Sequence, residues 1–175
     1  MRTLLVPFIV LAAVGLLASL MVHFCAVLGI PNPLGPAAWG LHVGIFAVWI
    51  PAVIVSQRMT KGSNRADFWK DALRGCPPWM KVITLVFFVY ALGNFAWFFL
   101  KTVGLRASET PESAVFRGFS GHWMAFYSAA VAILYSFLSV ATLDLAARCP
   151  NGHPVPPGAD SCPQCGLPLL KPIEP

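Results

Sequence analysis

The chain has 175 residues, 57% of them hydrophobic and 11% charged, with a mean hydropathy of +0.70, which excludes an ordinary soluble domain. Its formal net charge of +5 does not point to nucleic acid, because the basic residues crowd into one connection between apolar runs, a placement that membrane orientation explains. Four runs reach about the 20 apolar residues that cross a hydrocarbon core, and with a short tail they leave no room for a separate soluble catalytic domain.

The first run, 4–30, follows a short charged start, Met1-Arg2-Thr3, but it exceeds a signal-peptide core and lacks a small-x-small cleavage site, so it reads as a retained span. Phe24 before Cys25 likewise fits poorly with a lipoprotein cleavage signal. Ala12, Gly15, Ser19, His23 and Ala26 recur at three- or four-residue steps and mark one packing face of small residues. Pro31, Pro33 and Pro36 break the helix in an uncharged turn, which makes spans 1 and 2 antiparallel neighbours.

Span 2, 37–57, starts near Trp39 and carries His42, a Gly40-x3-Gly44 pair that suggests close packing, and Pro51, which removes one backbone hydrogen bond. The connection 58–81 then holds Arg58, Lys61, Arg65, Lys70, Arg74 and Lys81 against Asp67 and Asp71, and the positive-inside rule makes it cytoplasmic. Within it, Asn64 is placed to cap a short amphipathic helix with Phe68, Trp69, Ala72 and Leu73 on one face, suited to the membrane surface. Cys76 follows as an accessible thiol.

Span 3, 82–100, contains Tyr90 and one strongly polar residue, Asn94, whose amide needs a partner and so faces inward. An outer loop from Lys101 to Ser120 holds Lys101, Arg106 and Arg117. Ser120 is placed to cap span 4, 121–147, which begins at Gly121-His122-Trp123 and carries Asp144 near its inner end as an interface residue. Nine basic residues (Arg2, six in the 58–81 connection, Arg148 and Lys171) fall on one side and three on the other, which places both termini in the cytoplasm.

With no linker after Arg148, the tail carries Cys149, His153, Cys162 and Cys165 in the spacing C-x3-H-x8-C-x2-C. Three thiolates and one imidazole make a tetrahedral site for a borderline-soft ion, and zinc is the usual occupant. The segment 149–175 resembles a zinc ribbon over about 18 residues: Cys162-Pro163-Gln164-Cys165-Gly166 matches the C-P-x-C-G knuckle of that family, while the first knuckle departs by having Gly152 before His153. The prolines and glycine of 155–159 form the turn between knuckles. A closed four-ligand site is structural rather than catalytic. Only Arg148 and Lys171 lie nearby, so a protein contact is expected in place of nucleic acid.

Cys25 and Cys76 fall on opposite sides and remain free thiols. His23, His42 and His122, with Asn94 near their level, all fall in the outer third. Ionisable residues at that depth suggest a site for haem, copper or a quinone, or else interfacial histidines beside Trp39 and Trp123. No C-x-x-C-H, H-E-x-x-H or G-x-S-x-G motif is present.

The expected architecture is an all-α membrane protein, a four-transmembrane-helix bundle (1–148) with a small C-terminal zinc ribbon. Its membrane part resembles small uncharacterised bacterial multi-span proteins, which implies the bacterial inner membrane. The expected partners are the lipid bilayer and either a protein partner or a second copy. The leading functional expectation is a membrane subunit or adaptor, and the rival is a redox protein using the histidines.

Overall fold

A computed structural model of the chain describes residues 2–62, 64–106, 109–146, 149–153, 155 and 161–169, with side chains undescribed at Arg2 and at 141–146. Asp144 as an interface side chain, Arg148, Lys171 and the turn at 156–159 therefore lie outside the described residues. Among the described residues five α-helices follow one another: α1 Arg2–Leu28, α2 Trp39–Met59, the short α3 Phe68–Ala72, α4 Pro78–Thr102 and α5 Glu112–Ala146. Four of them are long and apolar enough to cross a membrane, over Thr3–Leu28, Gly35–Met59, Pro78–Thr102 and Glu112–Val140.

Helix α5 is the centre of the bundle. In its span, 56% of the most apolar stretch is buried, against 17–28% in the other three. The reason lies in its sequence: Ser128, Ala129, Ala130, Ala132 and Ser136 are small and buried, so neighbouring backbones approach closely, and Trp123, Met124, Ile133 and Leu134 fill the remaining space. Helices α1, α2 and α4 pack around it, and α1 also packs on α2, whereas α4 leans on α5 alone to any comparable extent. Their outward faces carry exposed Leu4, Leu17, Val43 and Leu100, each more than 65% exposed, an apolar surface that calls for lipid.

The small-residue face of α1 is used as its periodicity suggests. Ala12, Gly15, Ser19 and His23 are buried against α5, where Tyr127 lies over Gly15. The Gly40/Gly44 pair is used only by half: Gly44 also touches Tyr127, while Gly40 is exposed. Tyr127 bridges to α2 by donating its hydroxyl to the Leu41 carbonyl at 2.7 Å.

Helix α5 begins nine residues before the expected start of span 4. Glu112 occupies the first turn, where a carboxylate suits the helix dipole. Gly118 and Gly121, at the expected boundary of loop and span, are points of contact: a Cβ at either would come 2.6 Å from Phe98 or from the Asn94 amide. Ser120 is consequently inside the helix and caps nothing, and Arg117 lies in α5 with its guanidinium 3.8 Å from the Trp97 ring.

At the opposite end of the bundle, Asn64 precedes a 3-10 turn, Arg65–Asp67, without capping it through its side chain. Ala72 and Leu73 are buried as expected, but Trp69 is 51% exposed. Cys76 is buried, with its thiol directed to the Ala132 carbonyl of α5 at 3.0 Å, which corrects the expectation of an accessible cysteine. Burial pushes this thiol above its ordinary range. Its maleimide labelling in the folded protein is therefore expected to be at least about tenfold slower than in denaturant, since the reactive thiolate is both scarce and shielded; equal rates by mass spectrometry would contradict this packing.

Candidate functional site

The tail is held by two backbone turns of similar form. In the first, the Gly152 amide donates to the Cys149 carbonyl at 2.7 Å and the Cys149 amide to the His153 carbonyl at 3.0 Å; in the second, Gly166 donates to Cys162 at 2.8 Å and Cys162 to Leu167 at 2.9 Å. Gly152 and Gly166 close these turns at φ of 80° and 70°, left-handed conformations open to glycine at no steric cost. Placing Gly152 ahead of its ligand still returns His153 to the centre. A single bridge between Ser161 and Pro168 joins the second turn's flanks.

These turns bring the four expected ligands together, with their donor atoms within 4.8 Å of one another. The Cys149 and Cys165 sulfurs are 3.7 Å apart, and Cys162 Sγ is 3.8 Å from His153 Nδ1. A tetrahedron with metal–sulfur bonds of about 2.3 Å has edges of about 3.7 Å. The set is therefore already at coordination spacing, with His153 presenting Nδ1. Desolvation opposes ionisation of Cys162, but the amides of Gln164 and Cys165 and the neighbouring thiols outweigh it and hold the group at about 6. A thiolate is the form a metal requires.

The histidines divide into two groups. His23 of α1 joins its Nδ1 to Ser120 Oγ at 2.8 Å and its Nε2 to the Tyr90 hydroxyl of α4 at 2.6 Å. Ser120 Oγ in turn donates to the Arg117 carbonyl at 3.3 Å, so the hydrogen bonds run from Tyr90 through His23 to Ser120 and tie three helices together. Asn94 is buried beside them and donates to the Arg117 carbonyl at 2.7 Å, while its carbonyl oxygen has no partner among the described residues.

His42 and His122 form the second group, with ring centroids 5.5 Å apart and Trp39, Phe119 and Trp123 around them. Trp123 Nε1 donates to His42 Nδ1 at 3.0 Å. Both groups lie at one end of the bundle, opposite the basic connection 60–77, but among the described residues the three histidines do not converge on one metal-sized point. Tyr90 and Ser120 were missed as partners of His23. Tyr90 precedes Asn94 by four residues and so shares its inward face, a signal that was available. Comparison with protein-family models, with curated proteins and with solved structures gave no match, so function must be read from these residues.

Proposed function

We propose that the protein is an integral membrane subunit or adaptor whose tail is a structural zinc ribbon, held on the cytoplasmic side with both termini and used to dock a protein partner or a larger membrane complex. The observation that carries this reading is the cluster of Cys149, His153, Cys162 and Cys165, with all donor atoms within 4.8 Å. Three sulfurs and one nitrogen at tetrahedral spacing favour zinc over harder cations, and four protein ligands leave no open position for a reacting water. The basic connection supports a cytoplasmic setting, where thiols stay reduced. Metal analysis of the purified chain is expected to give one zinc per molecule, and affinity purification from membranes is expected to recover a partner that a chain cut before Cys149 no longer retains. Absence of zinc, or an unchanged set of partners, would refute the corresponding half of the proposal.

A second reading, a membrane redox protein, draws on the pairing of His42 and His122 at 5.5 Å. Haem or copper there gives a visible absorption band in the purified protein that disappears in a His42/His122 double alanine variant. A featureless spectrum of the oxidised protein removes haem and cupric copper and leaves a quinone or interfacial histidines.

A further inference from the structure

Helices α2 and α4 both lie on α5 without closing on each other, and between them runs a groove of about 170 Å³. Trp49 of α2, Phe88 and Leu92 of α4, and Ala125 and Ala129 of α5 line it, and Trp69 reaches it from the basic connection. The alanines are what make the groove: larger side chains at these two positions of α5 would fill it. Among the described residues its lining is aromatic and aliphatic.

Phe126 connects the groove to the second histidine group. It belongs to the groove wall, its ring is 5.0 Å from that of Trp49, and it is 6.2 Å from His122. Because His42 Nδ1 accepts from Trp123, the neutral imidazole of His42 must carry its proton on Nε2. Neither that nitrogen nor either nitrogen of His122 has a hydrogen-bond partner among the described residues. An apolar channel thus ends beside a free donor and a second imidazole that can donate or accept, with the flat rings of Trp39 and Phe119 alongside.

We propose that this is a binding site for an isoprenoid quinone, with its carbonyl head between His42 and His122 and its tail along the groove between α2 and α4. The site deepens the second reading above and is independent of the metal in the tail. Each competing occupant meets a specific obstacle. A partner helix about 10 Å wide does not fit a groove of this volume. The neighbours that surround the two histidines are aromatic faces, on which a flat quinone ring stacks and a phosphate headgroup does not. A benzene-sized group, by contrast, occupies a cavity of about 150 Å³, so one narrow branched chain suits the space. His23 and Asn94 are left out of this site, since their hydrogen bonds go to Ser120, Tyr90 and Arg117.

The test is a titration of the full chain in phosphatidylcholine nanodiscs with decylubiquinone, followed by quenching of tryptophan fluorescence. Saturable quenching is expected in the unaltered chain. His122→Phe keeps a ring but removes both nitrogens and is expected to weaken binding about three- to tenfold, the range of one hydrogen bond. Ala129→Phe fills the groove and is expected to abolish saturation, whereas Leu17→Ala, on the outward face of α1 away from the groove, keeps the original titration. Unsaturable quenching shared by all chains overturns the proposal. So does displacement of decylubiquinone by equimolar decanol, which would show that only a tail is recognised. If Ala129→Phe loses helical structure by circular dichroism, photolabelling of the unaltered chain with an azidoquinone decides: adducts at Trp49 or His122–Phe126 support the site, and adducts elsewhere refute it.

Discussion

Replacing Cys162 by serine is expected to release the metal and unfold the tail while the four apolar helices stay inserted and helical. Among the described residues the tail's buried core consists of Cys149, Val155 and Cys162, with Cys165 and Leu169 packed against it. Three of these five are ligands, so the non-ligand burial amounts to Val155 and part of Leu169. Burying such a side chain stabilises by about 1.5–3 kcal/mol, whereas a structural zinc contributes an apparent ~10–16 kcal/mol at neutral pH. The metal term dominates, and losing one of four ligands removes much of it. Limited proteolysis in detergent measures the outcome: the Cys162→Ser tail is expected to be digested at a rate matched by chelator-treated wild type, with the helical circular dichroism signal nearly unchanged. Wild-type zinc content together with a protected tail would sink the assignment of Cys162 as a ligand. Collapse of the whole helical signal would sink the independence of the bundle from the tail.

The Cys/His cluster was legible because its spacing lies within a short stretch of chain, and two tight turns suffice to bring Cys149–His153 and Cys162–Cys165 together. The four spans were legible for a similarly local reason, since a hydrocarbon core demands apolar length. What local pattern does not encode is rotation about a helix axis. His122 lies two positions from Ser120, a turn of roughly 200° on a helix with 3.6 residues per turn, so residues at one depth face different neighbours: Ser120 meets His23 of α1, while His122 meets His42 of α2. The expectation of a three-histidine cluster used depth alone and therefore merged two sites. The start of α5 escaped for another reason. Glycine and serine near a predicted boundary suggest a break, yet here Phe98 and Asn94 of α4 fill the space that Gly118 and Gly121 leave, and the helix continues. Cys76 was misread in the same way: charges and prolines surround it in sequence, while α5 surrounds it in space.

Substituting Gly75 by valine is expected to detach the basic connection from α5 and expose Cys76. The Gly75 amide donates to Ser136 Oγ at 3.0 Å, and a Cβ placed on Gly75 would stand 2.4 Å from the Ser136 carbonyl oxygen and 2.9 Å from a methyl of Val140. The nearest obstacle is helix backbone, which no rotamer change can move aside, so the connection must lift. Overpacking of this kind costs about 1–3 kcal/mol, and loss of the amide hydrogen bond adds about 0.5–1.5 kcal/mol. Cys76 supplies the readout, because its protection depends on the same seat through the Ala132 carbonyl. The Gly75→Val chain is expected to label with maleimide at a rate approaching that of the denatured protein, and Ser136→Ala, which removes the hydrogen bond without a clash, to fall between wild type and Gly75→Val. If Gly75→Val labels as slowly as wild type, the connection is not held by this contact. The consequence reaches further than one loop: Ser136 stands on the helix that leads within 13 residues to Cys149. The contact thus holds the positively charged connection on the same helix that precedes the Cys/His cluster in the chain.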